Sequence, residues 1–576
     1  MTWIQEAVRT IALGEWAFEL LDDDVADIRF RGRTVLRSVR AVARDRDWAT
    51  AEWAVDGVEV GEADARIALS SSSFGADLHT ALTITARGPE LTVSLEATTA
   101  RAFLTNRTGL VVLQPPSLAG DPLEIRHSDG SAERTAFPAD IAPHQPAFDI
   151  AGLAWSDVRL EFDGDTFEME DQRNWTDASF KTYSRPLALP FPYELAAGSV
   201  VRQSVTVSVD PAGGARAETL AIARDADDSG GSSPFSTNVQ TLDALTFVDS
   251  GVMPAVSVGA STAPGAPPVL DPIGSELLVE LDLGWGGWPA ALARAAASGL
   301  PLDVRLVLPE DDAPARAADA VRALAPHAIA RITAFQPAGH EAQHVSDAGA
   351  VRILRNALEN AGLDVPVLGG ARSHFTEVNR EQHRIPSDVD GFAFSTTPLF
   401  HTRETRQLEE AVAMQRLVAA QAGRIANGRP VHVGPVSLRT HVNNVATTAP
   451  PRPDVDDLSE GYGPALLDAD DPRQAEPELA AWTIASAAAL AVPGVASISF
   501  FEEWGPRGVR TAEGDDLPVA AAIHALAGLA GCPIATAHTP DGKVWAIRSD
   551  DAMLVANLDA TERVGLPPHG WHAVSR

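Results

Sequence analysis

The order of apolar runs predicts a multidomain β plus α/β chain: an N-terminal β-sandwich, a central (β/α)8 TIM barrel and a small C-terminal β domain. Three observations carry that reading. Residues 10–220 alternate apolar and polar side chains with period two, broken by Pro and Gly clusters and by no long amphipathic helix. Short apolar runs then alternate with Ala-rich helical stretches. Near the end the pattern returns to brief strands at 544–547 and 553–557. The boundaries that follow are 1–235, 236–528 and 529–576.

In the first part, Leu82–Thr85 and Leu91–Leu95 are strands joined by a turn at Arg87-Gly88-Pro89-Glu90, and Val200–Val209 alternates in the same way. The Asp-, Gly- and Ser-rich stretch Arg224–Thr237 is a linker or exposed loop. Eight strand candidates follow: Ala255–Val258, Leu277–Leu281, Val304–Leu308, Ile332–Phe335, Val365–Leu368, Gly391–Phe394, Val431–Val433 and Ile498–Phe501. Helices are predicted over Pro289–Ala297, Ala315–Leu324, Val351–Ala361, Thr405–Gln421 and Leu517–Ala530. The stretch Ser261–Gly274 after the first strand is Pro-rich rather than helical.

The 576 residues carry a formal charge of -33, with 45% apolar and 21% charged side chains. Such a chain is repelled by nucleic acid and by anionic membrane surfaces, so neither is expected as a partner, whereas a neutral sugar or sugar lactone is not repelled. Cys532 is the only cysteine, in an apolar Ala-Gly-Cys-Pro-Ile context, which excludes an internal disulfide and a cysteine metal site. Acids and Trp residues within Met1–Leu21 do not fit a signal peptide, and no run approaches the length of a membrane span. A cytoplasmic protein is expected. Its oligomeric state is not legible.

The densest chemistry lies between Phe167 and Tyr183, where acids, amides, Arg173, Lys181 and Trp175 follow one another without a helical or strand period. Two readings fit. Glu170, Asp171, Arg173, Asn174 and Trp175 line a pocket for a polar ligand, or they form a buried ion-pair knot between domains. The run from Glu168 to Tyr183, with Arg185-Pro186-Leu187 and Pro190-Phe191-Pro192-Tyr193, resembles the signature of the bacterial D-apionate lactonase family. Arg44–Thr50, Gly109–Leu113, Pro143–Pro146 and Phe375–Arg380 agree with it. The resemblance implies the three-part architecture above and hydrolysis of a sugar lactone, D-apionolactone in the family, to the sugar acid in apiose breakdown. The chain departs from the family pattern at Thr396–His401 and at His441–Asn444.

TIM barrels place their chemistry at the C-terminal ends of the strands. The polar residues there include His340 and Glu341, His374 and Glu377, His401, Arg439 and His441, and Glu502, Glu503 and Trp504. Glu502 and Glu503 point to opposite sides of a strand, and Glu502 is the one expected to face the barrel mouth. Opening a lactone needs a base for water, a cation for the oxyanion and a proton for the leaving alkoxide. Glu502, Glu377 or Glu341 is the candidate acid or base, and Arg439 or Lys181 the cation. Glu170, Asp171, Arg173, Asn174, Trp175, His374, His401, His441 and Trp504 are candidates for binding the sugar. No cofactor is expected; His340, His374, His401 and His441 could gather at a divalent metal, but no His-x-His or His-Glu-x-x-His spacing supports one. There is no Gly-x-Ser-x-Gly elbow for a serine nucleophile. Two other readings remain: a glycoside hydrolase with Glu341 as acid/base and Glu502 as nucleophile, and a carbohydrate-binding protein without catalysis.

Overall fold

A computed structural model describes residues 3, 8–211, 242, 245–446 and 448–575. The predicted linker at 224–237 lies outside the described residues. Between Val8 and Val209 the chain forms an antiparallel β assembly of 17 described strands. The turn expected at 87–90 is a two-residue hairpin, with Arg87 opposite Glu90 and Gly88 at a φ of 56°. Leu82, Ile84, Leu91, Val93 and Leu95 pack inward together, as the period-two pattern requires.

Four neighbouring strands set up the site. Phe103–Gln114 pairs on one side with Arg33–Asp45 and on the other with Phe180–Ser184, which in turn pairs with Phe167–Asp171. Alternation sends Val39, Ala41, Leu110, Val112, Met169 and Phe180 into the sandwich core. The same alternation turns Arg44, Arg107, Lys181 and Glu170 to the opposite face, toward the barrel.

All eight predicted barrel strands are present and close into a parallel barrel. They are β1 (Ala255–Gly259), β2 (Leu277–Asp282), β3 (Leu302–Val307), β4 (Ile329–Phe335), β5 (Val367–His374), β6 (Gly391–Thr396), β7 (Val431–Val436) and β8 (Val495–Glu502). The helices are α1 (Trp288–Ala296), α2 (Ala313–Leu324), α3 (Ala348–Ala361), α4 (Phe375–Glu381), α5 (Thr405–Ala426), α6 (Glu478–Leu490) and α7 (Pro518–Ala527). Helix α6 is apolar on every side and buried from Leu479 to Leu490, so it offers no helical period to read. No helix follows β1 across 261–274, as its prolines foretold.

The C-terminal sheet has five described strands: Val248–Val252, Pro533–His538, Val544–Arg548, Ala552–Asn557 and Trp571–Ser575. Its first strand comes from ahead of the barrel and pairs with Pro533–His538, so this sheet clasps the barrel from both ends of its sequence. Among the described residues no helix is long and apolar enough to cross a membrane.

Near the N-terminal ends of the barrel strands, Arg331 bridges Glu276 and Asp303, and Asp303 also takes Arg305 at 2.9 Å. All four side chains are buried. Removing one member leaves a charge uncompensated in a low dielectric. Arg331→Met is therefore expected to lower unfolding stability by about 3–5 kcal/mol, measured by denaturant titration of the purified chain.

Candidate active site

A large cleft runs between the outer face of the four-strand sheet and the ends of β6 and β7. Its walls include Arg44, Trp48, Arg107, Lys181, His401 and Arg439. The strand register fixes the first of these groups. Glu170 sits directly opposite Lys181 on neighbouring strands, and the two side chains pair at 2.9 Å. Arg44 sits directly opposite Arg107. Like charges face to face on adjacent strands are destabilising, and both residues are buried, at 9% and 3% exposure. Arg107 lies over the Tyr183 ring at 3.6 Å, which satisfies part of its charge.

From the barrel side, the segment after β6 brings His401 to the cleft. Its Nδ1 lies 2.6 Å from Asp177 Oδ2, and the other Asp177 oxygen accepts from Gln407 of α5 at 2.7 Å. Asp177 belongs to the turn between the signature strands, so the His–Asp pair spans the two domains. With Nδ1–H donated to the carboxylate, Nε2 is the nitrogen left to accept a proton.

Electrostatics match that geometry. Burial pushes His401 below the ordinary imidazole value despite Asp177, so the ring is neutral at neutral pH. Burial, assisted by Arg44 and Arg107 against the pull of Glu170, brings Lys181 down to about 8. Burial and the facing Arg107 bring Arg44 down to about 10. Burial alone would raise Glu170, but Lys181 and Arg380 hold it well below the usual carboxylate range. The result is a concentration of cations beside a neutral, oriented imidazole.

The remaining predicted residues fall into separate groups. Asp171 and Arg173 are fully buried against each other, at 2.8 and 2.7 Å, and Arg173 also donates to the carbonyls of Pro138 and Asp140. Asn174 donates to Ala142 O and accepts from Asn379 of α4 at 2.9 Å. Asp171 and Arg173 thus pair within the N-terminal domain, and of these three only Asn174 bonds across to the barrel. Glu170 joins the two roles, since Arg380 of α4 reaches its other oxygen at 2.9 Å. Trp175 is buried and stacks on Phe400 at 4.6 Å and 3°, with the His374 ring 5.1 Å away. Burial drives His374 down to about 3, so it serves as a neutral packing ring. Trp504 is likewise buried, with Arg294 over its ring at 5.2 Å.

Of the carboxylates, Glu502 faces the barrel mouth, as expected, and Glu503 lies on the other side of the strand in a separate hollow with Arg294 and Arg510. Burial raises Glu503 to about 7. Both Glu502 oxygens are committed, to Thr262 N at 3.0 Å, Thr262 Oγ1 at 2.7 Å and Arg507 Nε at 2.9 Å. Glu341 is exposed on a turn, and Glu377 is buried beside His344 at 3.7 Å, its acidity weakened by burial. Glu341 does not line the barrel mouth that Glu502 faces. Arg439 reaches the cleft rim but is paired with Asp468 and Asp471, each at 3.1 Å. His441 lines the barrel mouth, and burial lowers it.

The four histidines do not gather: His340 turns back to accept from Ala342 N at 3.0 Å, and His374 and His401 both pack on the Phe400 and Trp175 rings. Among the described residues no group of three His, Cys, Asp or Glu side chains is placed to hold a metal ion. Sequence reasoning passed over Arg44, Arg107 and Asp177 as site residues. Asp177 lay inside the signature run and was open to selection; pairing Arg44 with Arg107 required the strand register.

The cleft between sandwich and TIM barrel thus holds a neutral imidazole beside several cations, groups able to take a proton and to face a developing negative charge. Two family models match the chain: D-apionate lactonase, N-terminal domain, over residues 2–212, and D-apionate lactonase, TIM barrel domain, over residues 259–531. The chain belongs to the D-apionate lactonase family. A D-apionate lactonase of Brucella anthropi is 29% identical over 556 residues, covering 90% of this chain and 87% of its own length. Among solved structures, a galactose mutarotase-like protein from Lactobacillus casei covers 35% of this chain and all of its own, at 10% identity and a TM-score of 0.28. A GH36 alpha-galactosidase from Geobacillus stearothermophilus covers 95% of this chain and 91% of its own, at 8% identity and a TM-score of 0.26. Both likenesses are too weak to bear on function.

The knot and the cleft are separable by mutation. Asn174→Ala removes bonds to Ala142 and Asn379, and is expected to cost ~1–3 kcal/mol in thermal or denaturant unfolding. Michaelis constants of the remaining folded enzyme should be nearly unchanged.

Proposed function

We propose that this chain hydrolyses a sugar lactone of the apionolactone type to the sugar acid, and that the interdomain cleft is where it does so. The observation that carries the assignment is the His401–Asp177 pair at 2.6 Å in a cleft that also holds Lys181, Arg44 and Arg107. In this reading His401 Nε2 takes a proton from water as the oxygen attacks the lactone carbonyl. Asp177 holds the ring's tautomer and stabilises the imidazolium that forms. Lys181 faces the oxyanion that develops on the former carbonyl oxygen. Collapse of the tetrahedral intermediate breaks the ring C–O bond, and the imidazolium returns its proton to the departing alkoxide. Arg44 and Arg107 receive the new carboxylate, while Trp48 and Phe400 provide apolar walls for the sugar ring.

Asp171, Arg173 and Asn174 take no part in this scheme beyond setting the cleft's shape, and Glu502, Glu377 and Glu341 are not its acid or base. The glycosidase alternative is not favoured, because Glu341 is exposed on a turn and does not line the barrel mouth that Glu502 faces. A cytoplasmic setting is proposed with it; a single cysteine fits a reducing compartment.

Measured against D-apionolactone by acid release, His401→Asn should lower kcat by ~100 to 10,000-fold. Lys181→Met should lower it by ~100 to 1,000-fold. Full turnover by either variant would sink the assignment to this cleft.

The pH profile gives an independent check. The depressed His401 keeps its base form throughout neutral pH, so kcat/KM should fall only on the acid side of the ordinary histidine range. Lys181 is cationic only below about 8, so the alkaline limb should fall as pH rises through that value. Lys181→Arg is expected to move that limb upward, with the acid limb left in place.

A further inference from the structure

A second cavity lies at the barrel mouth, and its chemistry differs from that of the cleft. Seven of the eight barrel strands contribute to its wall. Its roof is the long excursion between β7 and α6, which crosses the mouth with Pro450, Pro451 and Pro453. Contacts that pin that roof include Arg452 Nε donating to Asp282 at 2.7 Å and Trp285 Nε1 donating to Val455 O at 2.8 Å.

Every charge along this cavity has a counter-charge. Arg372 takes Glu280 in a two-pronged pair at 2.6 and 2.9 Å, Arg452 takes Asp282, and Arg507 takes Glu502. No surplus charge is left to recruit an anion, in contrast to the cleft. One fully buried polar atom of the lining is left over. Tyr462 lines the cavity at 7% exposure, stacked on Trp285 at 5.5 Å, and its hydroxyl has no hydrogen-bond partner among the described residues. A buried hydroxyl without a partner carries a cost that a ligand hydroxyl would remove. Glu280 retains 29% side-chain exposure, so its carboxylate can accept from a ligand while still holding Arg372.

We infer that the barrel mouth is a second small-molecule site, built for a neutral polyhydroxylated compound of about monosaccharide size. Tyr462 Oη and the Glu280–Arg372 pair hold its hydroxyls, and the edges of Trp285 and Tyr462 meet its C–H face. The inference is independent of the catalytic role given to the cleft. The two cavities share one wall: within the segment after β7, His441 and Val442 line the mouth, and Arg439, Thr440 and Asn443 line the cleft.

The test uses the full-length protein and two neutral probes, erythritol and D-xylose, followed by saturation-transfer NMR titration with D-apionolactone turnover measured in parallel. Saturable binding of at least one probe is expected. It should weaken by about tenfold in Tyr462→Phe, and also in Glu280→Gln, and be unchanged in His401→Asn. Lactone turnover should persist in Tyr462→Phe. Absence of saturable binding, or binding that is indifferent to Tyr462→Phe and Glu280→Gln, overturns the inference. Loss of lactone turnover in Tyr462→Phe, with normal turnover in His401→Asn, also overturns it, because the mouth is then the catalytic site and the cleft assignment fails instead. Normal turnover in both His401→Asn and Lys181→Met, with probe binding still sensitive to Tyr462→Phe, rejects the cleft mechanism and leaves the second site standing.

Discussion

The Glu170 carboxylate accepts from two cations that belong to different domains, and the cleft's geometry depends on it. Lys181 reaches it across one strand pair, and Arg380 reaches it from helix α4 of the barrel. Burying a carboxylate is tolerable only when such partners are in place. The pairing therefore ties sandwich and barrel together at the same point where it orients Lys181. Beside it Asn379 donates across the interface to Asn174 and to Ile141 O, and Lys181 lines the cleft. Structural and chemical roles thus lie in one signature, separated by single residues along the strand.

The cations of the cleft run against both the chain's charge and its local stability. A protein of net charge -33 has no general reason to collect Arg44, Arg107 and Lys181 on one face. Arg44 opposite Arg107 is a repulsive register pair, and burial first, then Arg107, lowers Arg44 from the ordinary guanidinium value. Groups held at a cost in stability and facing a cavity are understandable where they meet negative charge during turnover. A lactone fits this economically, since it arrives neutral, develops an oxyanion and leaves as a carboxylate. The surrounding acidity then favours release of the product.

Period-two alternation and the strand–helix rhythm were enough to read the three-part architecture, because each barrel strand is a short apolar run set apart by turn residues. Helix α6 was not legible, since a helix buried on all sides has no polar face to mark its period. The site was legible only in part. Lys181, Glu170 and His401 stood out by residue type, and Glu502 was given the correct facing, yet its oxygens are engaged by Thr262 and Arg507. A strand-end position says where a side chain starts and nothing about which donors it meets. Asp171, Arg173 and Asn174 illustrate the same ambiguity: polar residues in a buried run serve an interface as well as they serve a ligand. Arg44 and Arg107 are 63 residues apart in the chain and become neighbours only through the register of two long strands.

Two chemically distinct cavities on either side of Arg439–Asn443 give the departures from the family pattern a physical location. Thr396–His401 ends in the residues that carry Phe400 and His401 into the cleft, and His441–Asn444 forms the wall between cleft and mouth. Neither stretch includes Glu170, Lys181, Arg44 or Arg107. In the proposed scheme, substitutions in these two stretches alter the shape offered to the sugar while the cations set against the acyl group stay on the sheet. That division lets one scaffold keep the lactone-opening step and vary the ring it accepts, because a carbonyl and its oxyanion are the same in every sugar lactone and the hydroxyl pattern is not.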